Sequence, residues 1–273
     1  MDSTTLSQAL GGLPLGGLRY YARTGSTNDE AARWAEAGTP DLALVVADEQ
    51  TGGRGRGGRK WFTPPGAALA FSLVLRDLPP AVSSEAPERI TRLTALGALG
   101  VAESLQQDYG LPAQIKWPND VLLEGRKVGG VLVEVHWLGE QPLALILGVG
   151  LNVSHRSVPP EAEILFPATC LQAYLETPPS RPELLRRILA HLIAWRLRLA
   201  DEAFLQAWEA RLAFHGEWVA IAQGRETRQG RVLGIEQDGR LRLQDRDGKY
   251  FSISAGEIHL RPLEADQEIK NAG

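Results

Sequence analysis

Between residues 113 and 153 four apolar runs follow one another with almost nothing between them. They read AQIKW (113–117), VLLE (121–124), KVGGVLVEVHW (127–137) and PLALILGVGLNV (142–153), and no gap exceeds four residues. Pro118-Asn119-Asp120 and Glu124-Gly125-Arg126 supply turn chemistry between the first three. Parallel neighbours need a crossover of a dozen or more residues, usually a helix. This part of the chain therefore folds as antiparallel hairpins, and the rest must pack around that sheet.

The flanking sequence provides both strands and helices. LALVVA (42–47) and ALAFSLVL (68–75) read as buried strands. TNDEAARWAEAG reads as a short helix with Thr27 as N-cap, Glu30 at capping-box spacing and Gly38 at the end. A Pro- and Ser-containing stretch leads to a helix over 88–109, where Ile90, Leu93, Leu96, Val101 and Leu105 keep one face and Gly110 stops it. A Pro-rich segment (158–182) precedes a helical region over 183–214, two helices with Trp195 and Trp208 in the core. After Gly216 the character changes to short alternating strands, WVAIAQG, RQGRVLGIEQ, RLRLQD and YFSISAGEIHL, with hairpin turns at Asp238-Gly239 and Asp247-Gly248. That tail reads as a separate small β-barrel.

Composition narrows the class. With 273 residues, 44% of them hydrophobic, the chain supports one sizeable core plus a satellite and is not disordered. A net charge of −4 makes it a poor general binder of polyanions, because such affinity comes from clustered positive charge. Cys170 is the single cysteine, so no intramolecular disulfide forms. The opening residues MDSTTLSQALGGLPLGG lack the pattern of a signal peptide, and no apolar run reaches bilayer length. A cytoplasmic protein is expected.

Against this acidic body, TGGRGRGGRKW (51–61) stands out, with five glycines and four cations within its first ten residues. Taken alone it reads equally as a solvated connection or as a lid over a phosphate. Its position between two apolar strands favours the lid: glycines let backbone N–H groups approach a ligand, and arginines offer forked donors to phosphate. It is neither a P-loop nor a dinucleotide fingerprint, since G-x-x-x-x-G-K-[ST] is absent and a strand follows. IKWPND (115–120) is an ordinary turn, or a set in which Lys116, Asn119 and Asp120 meet a nucleotide phosphate and its metal. Lys127 is solvated at a strand mouth, or turned inward beside Gly129-Gly130. LGVGLNV repeats the theme with Gly148, Gly150 and Asn152, and Gln50 stands at a strand end just before the loop. No Ser-His-Asp set has supporting context, and His136, His155, His191, His215 and His259 are too scattered for a zinc site.

Taken together and in order, STN, DEQTGGRGRGGRKW, KWPND, RKVGGVLVE and GVGLN resemble the biotin protein ligase family. The resemblance implies an α+β fold: a mixed or antiparallel synthetase-type sheet with flanking helices over residues 1–215, followed by a small SH3-like β-barrel over 216–273. It implies two-step chemistry, in which biotin and Mg·ATP form biotinyl-5′-AMP and a lysine of a biotin carboxyl carrier domain, as in acetyl-CoA carboxylase, then takes the biotin. Carried over position by position, Ser26, Thr27, Asn28, Gln50, Gly53, Arg54, Gly55, Arg56, Lys127, Gly130 and Gly148 correspond to biotin-binding positions. Arg54, Arg56, Arg59, Trp61, Lys116, Asn119, Asp120, Lys127 and Asn152 correspond to ATP-binding ones. Lys127, Arg54 and Arg56 are the implied catalytic cations and Asp120 the implied Mg²⁺ ligand.

Some members carry an N-terminal DNA-binding domain of about 60 residues. Only 25 residues precede Ser26 here, rich in glycine and short of helical pattern, so the ligase-only type without DNA binding is expected. A lipoate ligase of the same fold and a nucleic-acid-binding module are the rival readings. Monomer and homodimer both remain open.

Overall fold

The computed structural model describes residues 1–76, 86–139, 141–160, 166–223, 226–254 and 258–262. The stretch just before the long central helix, part of the 158–182 segment, the link after Ser254 and the end of the chain lie outside them.

A seven-stranded mixed sheet forms the body, in the order β1-β2-β3-β7-β6-β5-β4. Its strands are β1 (Gly17–Tyr21), β2 (Ala43–Ala47), β3 (Ala68–Leu75), β4 (Gln114–Lys116), β5 (Asp120–Leu123), β6 (Arg126–Leu138) and β7 (Gln141–Asn152). From β4 to β7 every neighbour is antiparallel, as the short gaps required. The exception is the pair β1/β2, which is parallel and joined by helix α2 (Thr27–Glu36). The opening of the chain also departs from expectation: α1 (Ser3–Ala9) forms there, its first turn capped by Asp2, whose Oδ1 accepts from Thr5 N at 2.8 Å. One good cap was enough to start a helix that apolar periodicity did not announce.

The central strands alternate strictly, and each face has its own fate. Leu69, Phe71, Leu73 and Leu75 of β3 and Leu145, Leu147, Val149 and Leu151 of β7 point one way, into the main core. There they meet α3 (Ala86–Tyr109) and α4 (Arg181–Arg196) through Leu93, Leu96, Leu99, Leu185, Leu189 and Leu192. On the opposite face a smaller core of Ala43, Val45, Val74, Ala144 and Ile146 lies under α2 through Ala31 and Ala35. Strands covered on both faces read as unbroken apolar runs, which is why 68–75 and 142–151 did.

Helix α5 (Glu202–Glu209) leads to a second sheet, five-stranded and antiparallel, in the order β11-β10-β9-β8-β12. Its strands are β8 (Trp218–Gln223), β9 (Glu226–Ile235), β10 (Leu241–Gln244), β11 (Tyr250–Ile253) and β12 (Ile258–Pro262). The expected last run is thus two strands, β11 and β12. The two sheets touch: Trp117, 1% exposed, donates its indole N–H to the carbonyl of Gly239 at 3.0 Å. Among the described residues no helix is long and apolar enough to cross a membrane.

Replacing Trp117 with Phe removes that donor and leaves a buried carbonyl unpaired, at a cost of about 1–3 kcal/mol. Equilibrium urea unfolding of the whole chain checks this.

Candidate functional site

The smaller core ends abruptly. Along β7 the residues that follow Ala144 and Ile146 on the α2 face are Gly148 and Gly150, and across the register on β6 stand Leu132 and Gly130. Beyond the N-terminus of α2 the sheet is therefore paved largely with glycine, and side chains lie flat on it. A Cβ at Gly148 would stand 2.2 Å from Asn28 Oδ1, and one at Gly150 would stand 2.2 Å from Trp61 Cε2. Neither position tolerates a larger residue unless its neighbour moves. Above this floor opens a cleft of about 210 Å³.

Three groups of residues wall it. The first surrounds the start of α2. Thr27 does not cap the helix as expected; Ser26 is the N-cap residue and makes no side-chain cap bond. Instead the Thr27 N–H and hydroxyl both donate to Gln50 Oε1, at 2.8 and 3.0 Å, and Gln50 Nε2 donates to Thr63 Oγ1 at 3.1 Å. Glu30, the expected capping-box partner, accepts from the Thr24 hydroxyl at 2.7 Å. A side chain brought in by β2 thus supplanted the local cap. Ser72, wholly buried on β3, donates to Asn28 Oδ1 at 2.6 Å and lies 2.8 Å from Thr27 Oγ1. Asn28 Nδ2 in turn donates to Glu134 Oε2 at 2.6 Å.

The second wall is the turn after β4. Asp120, 8% exposed, meets Lys127 Nζ at 2.5 Å and Lys116 Nζ at 3.5 Å. Burial pushes the Asp120 carboxyl up, but Lys127 and Lys116 together outweigh it and hold it below the usual carboxylate range. Burial pushes the Lys116 ammonium down against the pull of Asp120, and that ammonium also lies over the Phe166 ring at 4.1 Å. Lys127 is fixed along its backbone, donating to the Pro167 carbonyl at 2.7 Å and accepting from Thr169 N at 2.8 Å. Its ammonium turns inward, 5.5 Å from the Trp61 ring. Asn119 serves the turn itself, donating from Nδ2 to the Val131 carbonyl at 3.1 Å.

The third wall is the Gly/Arg loop, which closes as a hairpin flap. Arg54 and Lys60 pair as an antiparallel bridge, Gly55 N donates to Arg59 O at 2.7 Å, and Gly57 and Gly58 take left-handed φ angles of 62° and 71° at the tip. Trp61 N donates to Gly53 O at 2.9 Å, and the indole lies on the glycine floor. Arg56, Arg59, Lys60 and Trp61 all line the cleft.

Most of the sequence-derived set converges here, with four corrections. Arg54 lines the cleft, but its guanidinium is turned to carboxylates: Asp29 at 2.7 and 2.9 Å, and Glu134 at 3.0 Å. A fork already filled by two carboxylates is poorly placed to bind phosphate. Asn152 is 3% exposed and absent from the lining; its Nδ2 donates to the Thr169 carbonyl at 3.0 Å, bracing the segment that holds Lys127. Gly53 lies under the Trp61 backbone, where a Cβ would come within 2.5 Å of Trp61 O, so it seats the flap and does not line the cleft. Asp120 is a poor Mg²⁺ ligand, since two ammonium groups surround its carboxylate. Among the described residues no three His, Cys, Asp or Glu gather for a metal. Ser72, Asp29 and Glu134 were not foreseen. Ser72 and Glu134 had a signal in being polar or charged where their neighbours were not, in ALAFSLVL and KVGGVLVEVHW; Asp29, between Asn28 and Glu30, had none.

Comparison with known proteins bears on this arrangement. Residues 20–152 match the biotin/lipoate A/B protein ligase family, and residues 214–261 match the biotin protein ligase C terminal domain. A biotin–[acetyl-CoA-carboxylase] ligase of Paracoccus denitrificans is 35% identical over 246 residues, covering 87% of this chain and 98% of its own. This chain belongs to the biotin/lipoate protein ligase family. Among solved structures, the biotin protein ligase of Aquifex aeolicus in complex with biotin and ATP superposes with a TM-score of 0.76 at 28% identity, covering 90% of this chain and 99% of that one. The enzyme of Leishmania major in complex with biotinyl-5-AMP does so with a TM-score of 0.56 at 25% identity, covering 88% and 99%. In this chain the glycine floor, the lysine pair and the flap line one cleft.

The Asp120 pairing gives a pH signature. A depressed carboxyl stabilises the fold above its unfolded pKa, about 3.9, and that contribution disappears as pH falls through the lower folded value. Asp120→Asn is expected to cost up to about 3–5 kcal/mol near neutrality by leaving the buried Lys116 ammonium, and the partly exposed Lys127 beside it, without their counter-charge. The gap between wild type and Asp120→Asn should stay constant above about pH 5 and narrow below about pH 4. Urea denaturation across that range reads both.

Proposed function

We propose that this protein is an ATP-dependent biotin–protein ligase. The observation that carries the reading is the polarity of the cleft along one sheet face. At one end, hydroxyl and amide groups of Ser26, Thr27, Asn28 and Gln50 gather around Gly148. At the other, Lys116, Lys127, Arg56, Arg59 and Lys60 gather with a single lining carboxylate, Asp120. A neutral ureido head group suits the first end and a polyphosphate the second. The related enzymes solved with biotin and ATP, and with biotinyl-5-AMP, support the same assignment of substrates.

The biotin carboxylate, lying between the two ends, attacks the α-phosphorus of ATP. A C–O–P mixed anhydride forms and the bond to the departing pyrophosphate breaks. Negative charge converges on that point, and Lys127, held at a fixed position by Asp120 and by its paired backbone, stabilises it together with Arg56. No side-chain nucleophile is required, which agrees with the lack of a Ser-His-Asp set. Closure of the flap keeps water from the anhydride. The amine of a carrier lysine then attacks the carbonyl carbon and AMP leaves. Mg²⁺ bound to ATP would offset phosphate charge as part of the substrate, and no step is assigned to a metal at Asp120.

We further assign biotin and ATP binding to residues 1–215 and a supporting role to the small barrel over 216–273. The acceptor is the biotin carboxyl carrier domain of acetyl-CoA carboxylase or a related carboxylase, and the enzyme works in the cytoplasm.

Purified protein is expected to exchange pyrophosphate into ATP when biotin is present and not when lipoate replaces it. Exchange with lipoate alone would transfer the same cleft to the other branch of the family. Lys127→Ala should lower the biotin-dependent exchange rate by about 10²–10³-fold, the loss typical of one charge-stabilising donor. Arg56→Gly should let adenylate escape and label bystander lysines, seen on a streptavidin blot of added serum albumin. Tight adenylate retention by that variant would refute the flap's part in it.

A further inference from the structure

The flap has a stiff base and a soft tip. At the tip Gly57 and Gly58 carry left-handed backbone. At the base Arg54 bridges to Lys60, and its guanidinium is gripped from the scaffold. Two of its nitrogens reach the two oxygens of Asp29, at 2.9 and 2.7 Å, in the first turn of α2. Nη2 also reaches Glu134 on β6, at 3.0 and 3.3 Å. Both carboxylates belong to rigid elements, so Arg54 cannot follow the tip when it moves. The same Glu134 accepts from Asn28 at 2.6 Å, and Asn28 lies on Gly148 in the neutral end of the cleft. One carboxylate therefore touches both the flap and the wall of the head-group end.

The electrostatics point the same way. Two carboxylates against one guanidinium leave this corner net negative, and a phosphate brought here would be repelled. Arg54 also feels that pairing, which holds its guanidinium more firmly protonated than usual. Phosphate is left to the cations beyond the base of the flap.

We propose that Asp29 and Glu134 are positioning residues that hold Arg54 as the fixed hinge of the flap, and through it set how long the acyl-adenylate stays enclosed. This rests on the ligase reading for its adenylate readout but not for the hinge itself. Arg54 is then a mechanical part of the closure and not a phosphate ligand, and Glu134 links occupancy of the head-group end to the flap.

Two measurements on the full chain separate the ideas. The first is amide hydrogen exchange at residues 55–59, read with no substrate added. The double variant Asp29→Asn/Glu134→Gln should exchange there at least about tenfold faster than wild type, while the amides of β7 keep their protection. Arg54→Lys keeps the charge but cannot fork across two carboxylates, and should match the double variant. The second is the half-time for release of preformed radiolabelled biotinyl-adenylate, compared with the pyrophosphate-exchange rate. Release in the double variant should accelerate by at least about tenfold, several times more than exchange falls, because the hinge retains the intermediate more than it forms it. Unchanged protection at 55–59 overturns the hinge, as does equal loss of β7 protection, which would mean general unfolding. Wild-type protein that exchanges with neither biotin nor lipoate overturns the ligase reading, and hydrogen exchange then judges the hinge alone.

Discussion

The period-two alternation of β6 and β7 is the constraint on which the rest of this molecule depends. On one face their branched and leucine side chains close the main core against α3 and α4. On the other the same strands carry Gly130, Gly148 and Gly150, and the absence of side chains is what makes room. A slip of one residue would send glycine into the core and Leu147, Val149 and Leu151 into the cleft. Core and cleft are thus two consequences of one register. The hydrophobic burial that stabilises the sheet also holds the floor of the site rigid.

Onto that floor the fold brings charges that would not assemble unaided. Lys116 and Lys127 stand near each other only because Asp120, buried between them, offsets their repulsion. The carboxylate therefore organises the cationic end, and its role is better understood as a counter-charge than as a metal site. At the opposite side of the flap the ratio is reversed, with Asp29 and Glu134 enclosing Arg54. The cleft is graded in charge along the strand direction, so a ligand with a neutral head and an anionic tail has one favourable orientation. Three of the four loop cations line the cationic end of that gradient, and the fourth, Arg54, is committed to the scaffold.

Much of this was legible beforehand for identifiable reasons. Tight gaps between 113 and 142 admit only antiparallel pairing, and β4 to β7 obeyed. Gly110 and Gly38 ended their helices with left-handed φ angles of 68° and 80°. The parallel β1/β2 pair escaped because GLRYY is short and its partner lies beyond a helix. The reading of Thr27 as a helix cap failed because a capping box is a local rule, and Gln50, 23 residues away, offered the same donors a partner within the fold. Asn152 shares the face of Gly148 and Gly150, but it stands at the last position of β7, outside the cleft lining, and its amide is spent on the Thr169 carbonyl.

By itself the sequence determined the inventory: which runs become strands, which turns are tight, that the loop is glycine-soft and cationic, and which family the ordered motifs resemble. These follow from short-range sterics and periodicity, which neighbouring residues settle among themselves. Only the tertiary structure decided how the polar groups are shared. Whether Arg54 meets phosphate or carboxylate, whether Asp120 holds a metal or two lysines, and whether Gln50 faces a ligand or a helix end depend on contacts between residues far apart in the chain. A buried charge takes the partner that burial leaves within reach, and no local pattern records which one that is.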